Sequence, residues 1–196
     1  MRWFDNDGGP LIIIPRASLS SWEGGDVPSR GRVVTAEFRA TPGGAATDYD
    51  RACDVPEIAV LHIGDGWGVV LGSERMANAG VMESPARGVH VVVGVEYADD
   101  GPLARLEEIY RRVAPSAWRS VGRQLLVGPG GILLFHAASR GDRLSERPQG
   151  RDGRAIIGDA IAIPTEPGLY SVEYVDVDVP EEAALAMCRF RRASGP

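Results

Sequence analysis

"PLIIIP", residues 10–15, sets four bulky aliphatic side chains between two prolines. Proline cannot continue a β ladder, so the run reads as one short buried strand, led in by Gly8 and Gly9. The same arrangement returns at 128–135 as "GPGGILLF". Indeed "RQLLVGPGGILLFHAAS" (123–139) lies on "RWFDNDGGPLIIIPRAS" (2–18) without a gap, placing Ile132 on Leu11 and Phe135 on Ile14. Each copy then passes through a polar loop into a hairpin. Two related β-rich halves, 2–75 and 123–192, joined by a strand–helix segment at 76–122, would account for this. A chance likeness accounts for it as well.

Working outward, "EIAVLHIGDGWGVVLGSE" (57–74) is a hairpin around Gly64-Asp65-Gly66, residues that tolerate positive φ. Between the first strand and this hairpin, the polar stretch 20–56 holds one further candidate strand, "RVVTAEF" at 32–38. "GVHVVVGVEYA" (88–98) is another strand. It runs into a helix over about 102–114, where Asp99 or Asp100 can cap, Pro102 fits the first turn, and Leu103, Leu106, Ile109, Tyr110 and Val113 share a face. Pro115 ends it. The expected fold is therefore a single α+β domain over 1–196, mostly antiparallel β with one main helix.

The final hairpin, "LYSVEYVDVDVPEEAALAMCRFRR" (169–192), changes phase. Tyr170, Val172 and Tyr174 alternate, and then Val175, Val177 and Val179 alternate in the opposite phase. A β-bulge near 174–175 would produce that slip. It would also gather Ser171, Glu173, Asp176 and Asp178 on one face, extended by Glu181 and Glu182. From Glu166 to Glu182 there are six acids and no base. Arg189 and Arg191 on the returning strand can answer some of that charge through cross-strand pairs.

The bulk numbers fit an ordinary domain: 44% hydrophobic, 24% charged, with 25 Gly and 14 Pro favouring short strands and many turns. No apolar run approaches the roughly 18 residues of a membrane-spanning helix. Asp5 and Asp7 stand where a signal peptide would have its apolar stretch, so a cytoplasmic location is expected. Cys53 and Cys188 have no metal or redox spacing and read as reduced thiols. A net charge of −6 disfavours nucleic acid or an anionic membrane as partner and permits a basic protein.

Catalytic signals are weak. The glycines at 8–9 precede their strand, whereas a phosphate loop follows its strand and opens a helix, and the chain has no lysine for a phosphate. His62, His90 and His136 lie in separate apolar segments with no ligand spacing. "DYD" (48–50) and "DVD" (176–178) need further oxygen ligands to hold a cation. Ser18, Ser20 and Ser21 have no marked base. No cofactor or metal is expected. The alternative that stays open is a small cytoplasmic enzyme, such as a metal-dependent hydrolase using His62, His90 or His136.

The order of motifs carries more. Trp3 ahead of "GGPLIIIP", "SLSSWEG" (18–24), "DYDRACDV" (48–55), the hairpin after it, the second "GPGGILLF" and the closing "PGLYSVEYVDVD" together resemble the bacterial immunity protein 21 family. The stretch 76–98 carries no motif of the resemblance, and the loop at 140–158 is unusually rich in arginine. Membership would imply an immunity protein of a polymorphic toxin system, which protects the producing cell by binding a cognate toxin and is not an enzyme. The contact residues expected on that basis are Trp22 as an aromatic anchor, with Asp48, Asp50, Glu173, Asp176 and Asp178 meeting arginine or lysine on the toxin. The oligomeric state is not legible.

Overall fold

The computed structural model describes residues 2–4, 8–31, 45–72, 76, 78–82, 86, 88–144 and 160–193, whose strands form two antiparallel sheets. The two look-alike strands, β2 (Leu11–Pro15) and β8 (Ile132–His136), pair with each other inside the five-stranded sheet. Beyond β2 lie β4 (Gly66–Leu71) and then β3 (Ile58–Ile63); beyond β8 lies β9 (Ala160–Ile163). The six-stranded sheet runs in the order β1 (Arg2–Phe4), β5 (Asn78–Met82), β6 (Val89–Ala98), β11 (Ala183–Arg192), β10 (Gly168–Val179) and β7 (Arg119–Val127).

The β2–β8 register is symmetric about the pair Ile13–Leu134, with Leu11 opposite His136 and Pro15 opposite Ile132. Backbone bonds of 3.0 Å close both ends, from Arg16 N–H to Gly131 O and from Ala137 N–H to Pro10 O. The overlay that puts Ile132 on Leu11 carries the first of these bonds onto the second. The six-stranded order also reads the same from either end when β1, β5 and β6 are matched with β7, β10 and β11. That symmetry divides the chain after β6, so the hairpin matching β10–β11 is β5–β6, while β3 has no counterpart among the described residues. The division suggested by sequence overlay matched β3–β4 to the last hairpin instead. We propose a duplicated half as the origin of this order.

At β2 the five-stranded sheet is covered on both faces, which explains why that strand is buried at every position. Leu11, Ile13, Val69 and Leu134 meet Val92, Val172, Cys188 and Phe190 between the sheets. Ile12, Ile14, Leu133 and Phe135 turn outward beneath Leu19, Trp22 and α1 (Asp48–Cys53). On the far side, Val91, Val93, Leu185 and Met187 lie beneath α2 (Asp100–Ala104), α3 (Leu106–Arg112) and Trp118.

Three expectations are corrected or fall outside the described residues. The helix at 102–114 is divided. Arg105 (φ −111, ψ 15) donates to Pro102 O at 3.0 Å, a tight turn from which α3 restarts. Pro102 is buried and the Arg105 side chain bridges Glu182, so tertiary anchors on adjacent turns override a propensity for one straight helix. The helix also ends at Arg112, because Ala114 ahead of Pro115 is extended. The bulge near 174–175 is absent: β10 and β11 pair without a break from Tyr170–Arg192 to Val179–Ala183. The change of phase instead records burial on opposite faces, with Tyr170 and Val172 between the sheets and Val175 on the helix side. The candidate strand at 32–38 and most of the arginine-rich loop lie outside the described residues. The 57–74 hairpin forms as expected, turning at Gly64 with φ +56.

Because Ile13 sits fully buried on the symmetric pair, Ile13→Ala should cost about 2–5 kcal/mol in denaturant-unfolding free energy. A loss below about 1 kcal/mol would show that this pair is not central to the core.

Candidate protein-binding surface

The "DYDRAC" motif forms α1, and its polar side chains point inward. Thr47 caps the helix by accepting from Asp50 N–H at 3.0 Å, while Asp50 accepts from the Thr47 N–H at 2.6 Å. This is a capping box with aspartate in the third position. Asp48 accepts from the Glu23 N–H, the Ser29 hydroxyl and the Arg51 guanidinium, and Arg51 also donates to His62 O at 2.7 Å. Trp22 is 1% exposed; its indole N–H donates to Ala137 O at 2.9 Å, and its own carbonyl accepts from Gly141 N–H. Gly141 permits that approach, since a Cβ there would stand 2.0 Å from Leu19 O.

Trp22, Asp48 and Asp50 are thus buried, at 1%, 2% and 0% exposure, and offer a partner no surface. Trp22 and Asp48 fasten the 16–31 segment over the five-stranded sheet and against the loop after β8, and Asp50 closes the capping box of α1. The sequence marks them as a motif, but a motif of polar residues does not say which way they face.

The carboxylates of β10 are split as well. With no bulge, Glu173 faces the helix side and Asp176 and Asp178 face the other way, so the single acidic face does not form. Glu173 is bridged to Arg189 at 2.7 Å and lies 3.6 Å from Arg191. Arg189 in turn stacks over Trp118 at 3.9 Å. Asp176 is bridged to Arg119, which lies 4.3 Å over the Tyr174 ring. Both acids are answered locally.

Asp178 belongs to a different neighbourhood. The β10–β11 turn meets the junction of β6 and α2, where Asp99 N–H donates to Glu182 O at 3.0 Å and Arg105 bridges the Glu182 carboxylate at 2.6 Å. Residues 96–112 and 176–182 together carry nine carboxylates and three arginines, a net −6 that equals the charge of the whole chain. The rest of the sequence is neutral. Counted along the sequence, the two segments that meet at this end of the six-stranded sheet hold the net charge, and Arg119 pairs with Asp176 beside them.

Two backbone irregularities shape that end. Ala184 pairs with Tyr97 but Leu185 pairs with Val95, which leaves Glu96 as an extra residue on β6. This bulge puts two consecutive side chains into solvent, with Tyr97 53% exposed. Asp178, Ala184 and Tyr97 fall in one cross-strand row, so the ring and the carboxylate share a face. In the turn, Glu181 has φ +62, and it is the one non-glycine residue with positive φ among those described. It is position three of the Val179–Glu182 turn, after Pro180, where a positive φ ordinarily calls for glycine. Neither irregularity is readable from composition, and the bulge depends on the long-range pairing of β6 with β11.

The histidines do not converge. His62 sits on β3 at an edge of one sheet, edge-on to Trp67; His90 lies on β6 of the other sheet, beside Tyr170. Desolvation lowers the His90 imidazole below its ordinary value, favouring the neutral ring. His136 uses both nitrogens on backbone, donating to Gly8 O at 2.6 Å and accepting from Ala138 N–H at 3.1 Å. Among the described residues, no group of three or more His, Cys, Asp or Glu is placed to hold a metal. Burial raises both thiols, at Cys53 and Cys188, and pushes the neighbouring Tyr49 hydroxyl up to about 12. These are groups held in their neutral forms. Among the described residues, no helix is long and apolar enough to cross a membrane.

Compared with protein families, the chain matches the profile described as Immunity protein 21 over residues 2–183. Comparison with curated proteins gave no match, and comparison with solved structures gave none.

Replacing Glu181 by glycine should relieve about 1–2 kcal/mol of left-handed strain. Part of that is offset by about 0.4–1 kcal/mol of extra unfolded-state entropy. A net gain of about 0.5–1 kcal/mol is expected in thermal unfolding, and a destabilised variant would contradict the strained turn. Asp48→Asn should instead cost about 3–5 kcal/mol, because it leaves the buried Arg51 guanidinium without its charge partner. A near-neutral result would show that the pair does not hold the cap.

Proposed function

The chain belongs to the immunity protein 21 family, and on that premise we propose that it binds and neutralises a cognate bacterial toxin through its acidic end. The observation that carries this reading is the confinement of the whole net charge to two segments that meet around Glu182. A field concentrated at one end orients an approaching basic protein before contact and raises its association rate. Tyr97 supplies what charge alone lacks, a large, rigid and partly apolar ring in the same cross-strand row as Asp178. Glu181 supports the same reading, because a carboxylate is kept in a backbone conformation that glycine would adopt without strain.

The proposed contact residues are Tyr97, Asp99, Asp100, Asp178 and Glu181, with Glu182 held in place by Arg105. Asp178 is retained from the sequence reading. The proposed partner presents arginine or lysine around its catalytic cleft, and the complex forms in the cytoplasm of the producing cell without cofactor, nucleic acid or membrane. Neutralisation then follows from occupancy: a tight complex over the cleft denies it substrate.

The test uses the toxin domain encoded beside this chain's gene. The chain should rescue cells expressing that toxin and co-elute with it in size-exclusion chromatography. Neutralising Asp99, Asp178 and Glu181 together, as Asn, Asn and Gln, should slow association about tenfold or more at low salt and flatten its salt dependence. No rescue and no complex with the wild-type chain would overturn the reading. A complex whose association ignores these three charges would move the interface elsewhere.

A further inference from the structure

Alongside the acidic end, between α3 and the end of β10, lies an open groove of about 240 Å³. Its apolar wall is made by Ile109 and Val113 from the helical segment, Val177 and Val179 from the strand, and Pro180 of the turn. All four aliphatic side chains are only partly buried, so the groove exposes surface that the helix does not cover. Arg105 and Arg112 stand at the rim, and each is engaged by a carboxylate, Glu182 and Glu108 respectively. The rim therefore offers no spare cation for an anionic ligand, and the volume lies below the roughly 300–1,000 Å³ of ordinary small-molecule pockets.

We propose that this groove is the anchor point of the toxin complex: it receives one aliphatic or aromatic side chain carried on an arginine- or lysine-bearing segment of the toxin. The inference rests on the toxin-binding reading above and adds the chemistry of the contacting element. Charge selects the occupant. The segments that build the groove carry nine carboxylates against three arginines, so a second copy of this chain would bring like charge to the same place. The rim itself is balanced, so a basic segment meets complementary charge in the adjoining turn, at Glu181, while its apolar side chain displaces water from the four aliphatic groups. Anchors of this kind dominate dissociation rates, whereas the surrounding charges govern association.

Two variants separate these effects. Val113→Phe fills the groove from its open side, and Val179→Thr keeps the shape while adding a hydroxyl. Binding kinetics are measured against the toxin domain encoded beside the gene, with thermal unfolding as the check on folding. Val113→Phe should raise the dissociation rate about tenfold or more, and Val179→Thr about threefold, both with the association rate unchanged. If Val113→Phe does not fold, Val179→Thr decides. Wild-type dissociation rates in the folded variants would overturn the groove while leaving toxin binding intact. Failure of the wild-type chain to bind the toxin would sink the toxin reading and the groove with it. Concentration-dependent dimerisation of the wild-type chain, abolished by Val113→Phe, would assign the groove to a second copy and overturn the proposal.

Discussion

The antiparallel seam between β2 and β8 is the constraint from which the rest of the structure follows. Two strands far apart in sequence are joined through a register symmetric about Ile13 and Leu134, and equivalent backbone bonds close both ends. Every residue of β2 is buried, so its alternate side chains feed two different layers: Leu11 and Ile13 between the sheets, Ile12 and Ile14 beneath the Trp22 cap. A strand of this kind has no wet face. Shifting its register by one residue would exchange the two layers at once.

Covering both faces of the central strands leaves little room for function there. Charged residues that reach the strands are paired nearby, as Glu173 is with Arg189 and Asp176 with Arg119. The "DYDRAC" motif is spent in the same way, holding a cap through the buried Asp48–Arg51 pair. What stays available is the end of the six-stranded sheet, where the long hairpin β10–β11 meets the start of α2. The net charge, the bulge that exposes Tyr97, the left-handed Glu181 and the apolar groove all lie there. The seam and the proposed recognition surface thus lie in different places.

How much of this the sequence discloses depends on the range of the interaction. "PLIIIP" is legible as a buried strand because proline and β-branching act locally, and the overlay of 2–18 on 123–139 describes the observed register of β2 against β8. The pairing of those two strands with each other is not legible, since nothing local announces a partner more than a hundred residues away. The acidic face of β10 was misread for a related reason. Alternation implies a bulge only if one face of the strand is wet, and here opposite faces are buried at opposite ends. "DYDRAC" is visible as a motif, yet its burial depends on the 16–31 segment packing above it. Tyr97 and the groove are invisible without the β6–β11 register and the helix position.

The most direct measurement is hydrogen exchange by mass spectrometry on the chain, free and bound to the toxin domain encoded beside its gene. The account predicts slowed exchange confined to peptides covering 96–113 and 176–182, with the β2–β8 seam already protected in both states. Protection that falls instead on the 16–31 cap or on β7, with the 96–113 and 176–182 peptides unchanged, would contradict it.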